Sequence, residues 1–567
     1  MQGAPADPDP TRVDVIVVGS GAAALSAALS AALGGAEVLV LEKSDKLGGT
    51  SAMSGAGIWI PANHLAAAAG IDDSPEEAFE YLCATAPEGW AADEMPLWRQ
   101  FADQAPAALR MISDHTPIEF ALTREPDPMA EAPGGKRGGR MLSPLALRRR
   151  VAGKFAAKLR RSTLPHLFTY HEVGKYRAYA HPLRAGIRLL PKLIYRLLTG
   201  ARGQGNALVA GLVRGCLDQG CRIELGARVV ELVQDELGAV IGVVVAQHGK
   251  TATTLAKRGV VLATGGFEWD TALREKYFKG PFDRIGSPRT NTGDGQTMAA
   301  AAGAQLAHMD QANVFATLPT RYEGHVHGMP FMFHGAKHAI IVNREGKRFV
   351  SEYDYNVGEE LDARDASGDP VHLPCWLIID RRYITDAPVF LWYARHIKNW
   401  LRRASTVAAL AEKISLPPDA LEATVRRYNE QVLAGRDADF RRGENIWEQS
   451  KSGASVGNLE PALGSIERGP FLAVPLNRSI LVTKGGARTD ANGQVLRPDG
   501  SAIGGLYCAG VAMANPIGTR NVGAGTTLGP CITWGYICGQ SLLLSNRAEQ
   551  SVDPEYAAGE GVEQGNE

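Results

Sequence analysis

The first strongly patterned stretch is Asp14-Val-Ile-Val-Val18, a continuous apolar run of the kind a strand buried on both faces requires. Gly19-Ser-Gly-Ala-Ala-Ala24 follows, then small residues at helical spacing; beyond the turn at Gly34-Gly35 a second apolar run, Glu37 to Glu42, ends in a carboxylate. Strand, glycine turn, helix and strand make one βαβ unit. Helical patterning covers Pro75 to Ile112, and Gly134 to Arg140 is a glycine-rich basic loop. Alternating α/β patterning returns over Gly205 to Leu262, with strand-like runs at Arg222 to Leu225, Ala239 to Val245 and Gly259 to Leu262. Between about Met309 and Leu481 aromatic, His and Pro residues accumulate, and Ala339 to Val350 reads as a hairpin. From Val482 the glycine-rich pattern resumes and runs through Gly539.

The glycines at the first turn carry chemistry. Gly19-x-Gly21-x-x-Ala24 leaves a strand and opens a helix, and Glu42 closes the next strand, which is the full context of a dinucleotide-binding fingerprint. Gly19 permits the tight turn and Gly21 a close backbone approach, while the amides of Ala22 and Ala23 face the pyrophosphate and Glu42, with Lys43 beside it, meets the ribose. The segment that follows favours FAD over NAD: Gly49, Thr50, Ser51, Ser54, Gly55 and Gly57 are small enough for backbone to lie against a ribityl chain and flavin ring. Further candidates are Val229, Ala263, Thr264 and Gly265 on later strands, Asp294 opening a helix, and Gly510. Gly523-Ala-Gly-Thr-Thr-Leu-Gly529, with Thr526 and Leu528, runs into an apolar helix beginning near Pro530, whose N-terminal dipole suits the charge that develops on a reduced flavin. The expected fold is α/β, a Rossmann-type FAD-binding domain with an inserted α+β substrate (capping) domain. Residues 12–314 and 482–546 form the FAD-binding part, 315–481 the substrate domain, and 547–567 a disordered tail.

Composition bounds the alternatives. The chain has 567 residues, 45% hydrophobic and 21% charged, with a net charge of -1, which excludes a nucleic-acid-coating or disordered protein. Seven scattered cysteines without a CxxC pair suit a reducing compartment, and no charge-free run of membrane-spanning length occurs, so a cytoplasmic location is expected. The first eleven residues lack the charged and apolar regions of a signal peptide and read as a flexible leader. His325, His327, His334 and His338 fall within fourteen residues, but no Cys or carboxylate pattern completes a metal set, and none is assigned. The segment 136–202 is a helical excursion carrying seventeen Lys or Arg against one acid, Glu172. Its charges either face water or, with Leu189 to Leu198 as a surface-seeking helix, rest on anionic lipid.

Several motifs together resemble those of the flavoprotein superfamily of fumarate reductases and 3-ketosteroid dehydrogenases, and most closely the 3-ketosteroid 1-dehydrogenases. They are Lys46 to Ile60 (KLGGTSAMSGAGIWI), Glu131 to Lys136 (EAPGGK), Arg258 to Trp269, Asn291 to Gln296 (NTGDGQ), Ile341 to Tyr353, Thr483 to Ala491 and Gly523 to Cys531. The resemblance implies non-covalent FAD and the introduction of a C=C bond next to a ring ketone of an apolar substrate, with the electron acceptor left unassigned. It also implies a base tyrosine at Tyr355, or at Tyr353 in a loop one residue shorter, and a carbonyl-binding amide at Gly525. The family's carbonyl-polarising tyrosine falls on Asn521, beside Arg520, and its assisting tyrosine on Pro128 or Met129, so the chain departs from the family there. The alternatives are a flavin-dependent reductase of an activated C=C bond and, from another class, a non-catalytic flavin-binding protein or membrane-surface partner.

Overall fold

The computed structural model describes residues 11–178, 181–330, 332–386 and 390–544. The leader, apart from Thr11, and the tail 547–567 lie outside the described residues. The strand Thr11–Val18 sits in the middle of an eight-stranded sheet, parallel to Lys250–Leu262 on one side and to Val38–Glu42 on the other. Arg222–Leu225 extends the parallel set beyond Val38–Glu42, and Ala502–Cys508 extends it beyond Lys250–Leu262. The outer half of Lys250–Leu262 pairs antiparallel with Val240–Gln247, which pairs in turn with Arg228–Gln234. That strand runs longer than Gly259 to Leu262 because this exposed meander recruits polar residues the apolar pattern does not mark.

The fingerprint helix Ala22–Leu33 is buried on nearly every side, which its run of Ala and Ser permits. Against it lies the C-terminal helix Leu528–Leu544, which starts two residues before Pro530. Their axes approach so closely that a Cβ on Gly535 would stand 2.3 Å from the Ala23 carbonyl oxygen and one on Gly539 2.5 Å from Ser30 Cβ. One hydrophobic core thus joins residues 13–302 to residues 482–542.

A second core surrounds the antiparallel sheet Ala339–Val342, Trp376–Ile379, Phe471–Pro475 and Arg402–Ala404. Alternate residues of each strand face opposite ways, so Ala339, Ile341, Leu377 and Ile379 join one cluster with Phe267 and Phe278. Ile340, Val342 and Ile378 meet the other, under helices Val407–Lys413 and Pro418–Leu433. The hairpin expected over Ala339 to Val350 is not formed. Its first arm pairs with Trp376–Ile379 instead, and the second keeps a single bridge, Val342 to Arg348. Arg348 is drawn inward to Glu352 (2.9 Å) and Asp437 (2.8 Å), and Arg442 reaches Glu352 at 2.8 Å. This buried ionic cluster fixes the loop just before Tyr353 and Tyr355; removing one partner of such a cluster costs about 3–5 kcal/mol.

The basic excursion is only partly helical, since 141–158 forms short strands and a 3-10 stretch. Arg140 is buried against Asp73 and Asp127, Arg160 against Glu323, and Arg196 against Glu172, so part of the charge is spent internally. Among the described residues no helix is long and apolar enough to cross a membrane. No grouping of three His, Cys, Asp or Glu side chains is placed for a metal among them.

Candidate active site

A cleft opens at the carboxyl ends of the parallel strands. It is lined by Gly19, Gly21, Ala22, Ala23, Glu42, Lys43, Gly49, Thr50, Ser51, Val229, Ala263, Thr264, Gly265, Asp294 and Gly510, bringing fifteen of the expected cofactor residues together. Gly19 has φ +113°, and a Cβ there would sit 2.3 Å from the Ala263 carbonyl oxygen, so only glycine fits. Gly21 caps the fingerprint helix without a side chain, and the first amide, Ala22 N–H, reaches Ser51 Oγ at 3.0 Å. Glu42 accepts hydrogen bonds from Ser20 Oγ (2.5 Å) and Ser44 N–H (2.8 Å), which orient its carboxylate while leaving each oxygen a lone pair for a ribose hydroxyl. Burial pushes the Glu42 carboxyl up, opposed by those two donors and by Arg160 and Lys43. Lys43 is tied to Thr292 and Asp294. Thr264 Oγ1 is buried in the lining without a hydrogen-bond partner among the described residues, an orphan that a polar cofactor would satisfy. Uncapped amides, an oriented carboxylate and an orphaned hydroxyl in one cleft fit a dinucleotide.

The remaining five, Ser54, Gly55, Gly57, Thr526 and Leu528, lie where two glycine loops touch. A Cβ on Gly525 (φ +110°) would stand 2.4 Å from the Gly57 carbonyl oxygen, and Trp59 N–H donates to the Gly525 carbonyl at 3.3 Å. Thr526 Oγ1 donates to the Gly523 carbonyl at 2.8 Å, tightening the turn that opens the helix at Leu528. The Gly525 N–H itself makes no hydrogen bond among the described residues.

Tyr355 belongs to this junction. Its hydroxyl points at the Gly523 carbonyl, 3.5 Å away, and its ring meets Trp447 edge-on with centroids 4.5 Å apart. Met141, Trp447 and Ala524 form a small buried cluster on which Tyr355 and Tyr170 both pack. Tyr170 faces Gly55 and Gly57, and its hydroxyl donates to Glu125 at 2.7 Å. Lys451 pairs with Glu125 and lies 4.0 Å from the centre of the Trp447 ring. Burial raises the Tyr355 and Tyr170 phenols, and the Glu125 carboxylate raises both further.

Tyr353 goes elsewhere. It packs with Ala454 and Ala462, its ring 4.9 Å from the Arg442 guanidinium. Arg520 pairs with Glu359 at 2.8 Å and donates to the Thr85 carbonyl at 3.2 Å. Asn521 is 8% exposed, and its Oδ1 accepts from Lys484 Nζ at 3.0 Å. Pro128 and Met129 bring no hydroxyl, and among the described residues Tyr170 is the second phenol beside Tyr355. Tyr170, Glu125, Trp447, Lys451 and Lys484 were outside the sequence expectation; only Lys484 falls in a recognised motif, and the others lie in segments whose pattern reports burial alone. Asn291 and Cys531, also in the cleft lining, open and close motifs already read.

The FAD binding domain family matches residues 14–528. The chain is 33% identical to the 3-oxosteroid 1-dehydrogenase of Mycobacterium tuberculosis, over 92% of this chain and 97% of that one. The chain belongs to the 3-ketosteroid dehydrogenase family of FAD-binding proteins. It is also 35% identical to the 4-oxocyclohexanecarboxylate 2-dehydrogenase of Sinomonas cyclohexanicum, over 93% of this chain and 92% of that one. The structure superposes on the 3-ketosteroid delta1-dehydrogenase of Sterolibacterium denitrificans, solved with 1,4-androstadiene-3,17-dione. The TM-score is 0.83 at 32% identity, covering 94% of this chain and 100% of the other. The family member described here is an FAD-dependent oxidoreductase with the capped FAD-binding fold.

Proposed function

We propose that this dehydrogenase introduces a C=C bond α,β to the ketone of a six-membered ring. The observation that carries the reading is the Tyr355 hydroxyl directed at the loop whose Gly525 N–H makes no hydrogen bond among the described residues, against the Gly57 backbone that we assign to the flavin side of the site. Bound FAD supplies the hydride acceptor for the β-carbon. Gly525 N–H and the Asn521 amide polarise the ketone oxygen, which stabilises the enolate that develops when the α-proton leaves. Tyr355, once it has released its own proton to solvent, takes that proton as the phenolate. Its raised basicity makes the phenolate a strong acceptor once formed, and the loose 3.5 Å contact leaves the hydroxyl free to turn toward a substrate. A six-membered ring ketone is the feature shared by the names of the steroid and oxocyclohexanecarboxylate relatives.

The test is anaerobic mixing of the FAD-loaded protein with saturated 3-oxosteroids, 4-oxocyclohexanecarboxylate and unsubstituted cyclohexanone, following loss of flavin absorbance. Bleaching with formation of the enone supports the reading. No bleaching by any ketone, together with reoxidation of reduced flavin by fumarate or an enone, assigns a reductase instead. Failure of both leaves a flavin-binding protein without this chemistry.

We also propose that the unit 315–481 caps an FAD-binding unit built from 12–314 and 482–546, and that helices Pro182–Arg188 and Leu190–Thr199 rest on an anionic membrane. Leu183 (83% exposed), Ile187 (78%) and Leu198 (82%) project into solvent with Arg184, Arg188 and Lys192 interleaved. The Glu172–Arg196 pair anchors this face to the helix that begins at Tyr170, so an apolar ketone entering from lipid would arrive beside the site. Co-sedimentation with phosphatidylserine vesicles should fall steeply with salt. Equal pelleting with phosphatidylcholine vesicles removes the proposal.

A further inference from the structure

Lys484 is a lysine that the chemistry above does not use. It is fully buried, and no carboxylate among the described residues neutralises it: its ammonium donates to the Gly518 carbonyl at 2.5 Å and to Asn521 Oδ1 at 3.0 Å. The titratable group facing it is the Cys531 thiol, from the C-terminal helix, which burial pushes up to about 12 and so keeps neutral. Burying a cation against neutral acceptors costs several kcal/mol, so its retention needs a reason beyond packing. The contact with Asn521 supplies one. A side-chain amide can be turned either way, but an ammonium is a donor only and fixes which end it meets. With Oδ1 held by Lys484, Nδ2 must point to the opposite side, where it makes no hydrogen bond among the described residues. The loop carrying Asn521 continues directly into Gly523 and Gly525.

We infer that Lys484 is a positioning residue that locks Asn521 with its N–H groups toward the substrate ketone and polarises the amide, making it a stronger donor. This deepens the proposed dehydrogenation and rests on it. A neutral amide held by a cation then does the work of a phenol: the positive charge is passed through the amide to the ketone oxygen without exposing an ammonium to the ring. Because burial brings the Lys484 pKa down to about 7, opposed only by the Cys531 thiol, the lock weakens as pH rises through neutrality.

The test is the pH dependence of anaerobic flavin reduction by a 3-oxosteroid or 4-oxocyclohexanecarboxylate, whichever bleaches the wild-type holoenzyme. The wild-type rate should rise with pH as Tyr355 ionises and level off near pH 7 as Lys484 loses its proton. Lys484→Met should be about 10- to 100-fold slower at pH 6, somewhat less than the loss of a whole oxyanion donor, with substrate affinity little changed, and should keep rising above pH 7. Asn521→Asp keeps the size and the lysine contact but has no N–H to offer; it should lose about 100- to 1,000-fold even if Lys484→Met does not fold. A Met variant that matches wild type at pH 6 or levels off at the same pH overturns the inference, as does an Asp variant of wild-type rate. In those cases the function stands as long as a ketone still reduces the wild-type flavin. If no ketone does, the function falls first, and the inference with it.

Discussion

Replacing Tyr355 by Phe removes one hydroxyl, and the structure sets what that should cost. The hydroxyl lies 3.5 Å from the Gly523 carbonyl, beyond the roughly 2.5–3.0 Å of an O–H···O hydrogen bond. That carbonyl already accepts from Thr526 Oγ1 (2.8 Å) and Thr526 N–H (3.2 Å), so no acceptor is orphaned. The stability change should stay under about 1 kcal/mol, and the ring keeps its edge-on contact with Trp447. FAD content and thermal midpoint should therefore match wild type. Flavin reduction by a ring ketone should nevertheless slow by roughly 10²–10⁴-fold, the usual worth of positioned acid–base catalysis, or about 3–5 kcal/mol of barrier. Below pH 7 the wild-type rate should climb with pH, by up to about tenfold per unit, because burial and Glu125 hold the Tyr355 pKa far above the assay range. The Phe variant should lose that slope. Stopped-flow reduction under anaerobic conditions reads both quantities. Tyr353→Phe is the matched control: its ring stays beneath Arg442, and its rate should not change. If Tyr355→Phe reduces at the wild-type rate while Tyr353→Phe does not, the base is Tyr353; if neither matters, proton abstraction lies elsewhere.

Three further outcomes follow from the geometry. Glu42→Ala should weaken FAD binding by about 1–3 kcal/mol, read by titrating the apoprotein, and an unchanged affinity would remove Glu42 from the ribose site. Gly525→Ala forces a Cβ to within 2.4 Å of the Gly57 carbonyl oxygen at φ +110°; backbone strain alone costs about 1–3 kcal/mol, so FAD occupancy and thermal midpoint should drop together. Lys484 titrates near 7 when folded against 10.5 when unfolded, so between those values the unfolded chain binds more protons. Wild-type stability measured against Lys484→Met should then rise with pH by up to about 1.4 kcal/mol per unit in that window, the penalty being fully present below pH 7. Parallel stability curves for the two proteins would contradict the burial of a protonated lysine.

What could be read from sequence was whatever depends on neighbours along the chain. The turn at Gly19, the carboxylate at Glu42 and the glycines 49–57 announce themselves because a close backbone approach leaves a local signature. The hairpin at Ala339 marks the limit: an apolar run followed by Asn-Arg-Glu-Gly fits a hairpin locally, yet pairing stops at the Val342–Arg348 bridge, where Glu352 and Asp437 hold the Arg348 side chain. The same limit hides Tyr170 and Lys451. They approach Tyr355 only after segments more than ninety residues apart have packed, and a tyrosine or lysine carries no mark of the partner it will meet. Seventeen cations in 136–202 suggested a single wet face, whereas the buried guanidinium groups of Arg140, Arg160 and Arg196 each found a carboxylate that the charge count alone does not pair with them.

The seam between the first helix and the last has a consequence for how the protein is made. Ser30 donates to the Tyr536 carbonyl across 506 residues of chain, and Gly535 and Gly539 seat the last helix where no larger residue would fit. At roughly 5–20 residues per second of synthesis, the first helix exists for about 25–100 s before its partner is added. For nearly all of that interval its alanine-rich flank is bare, the sheet lacks Ala502–Cys508, and the glycine loop 523–529 has not been made. Cofactor capture therefore waits for residues 502–544, and a chain stopped before residue 528 releases an intact fingerprint with an exposed apolar helix, a substrate for chaperones and proteases rather than for FAD.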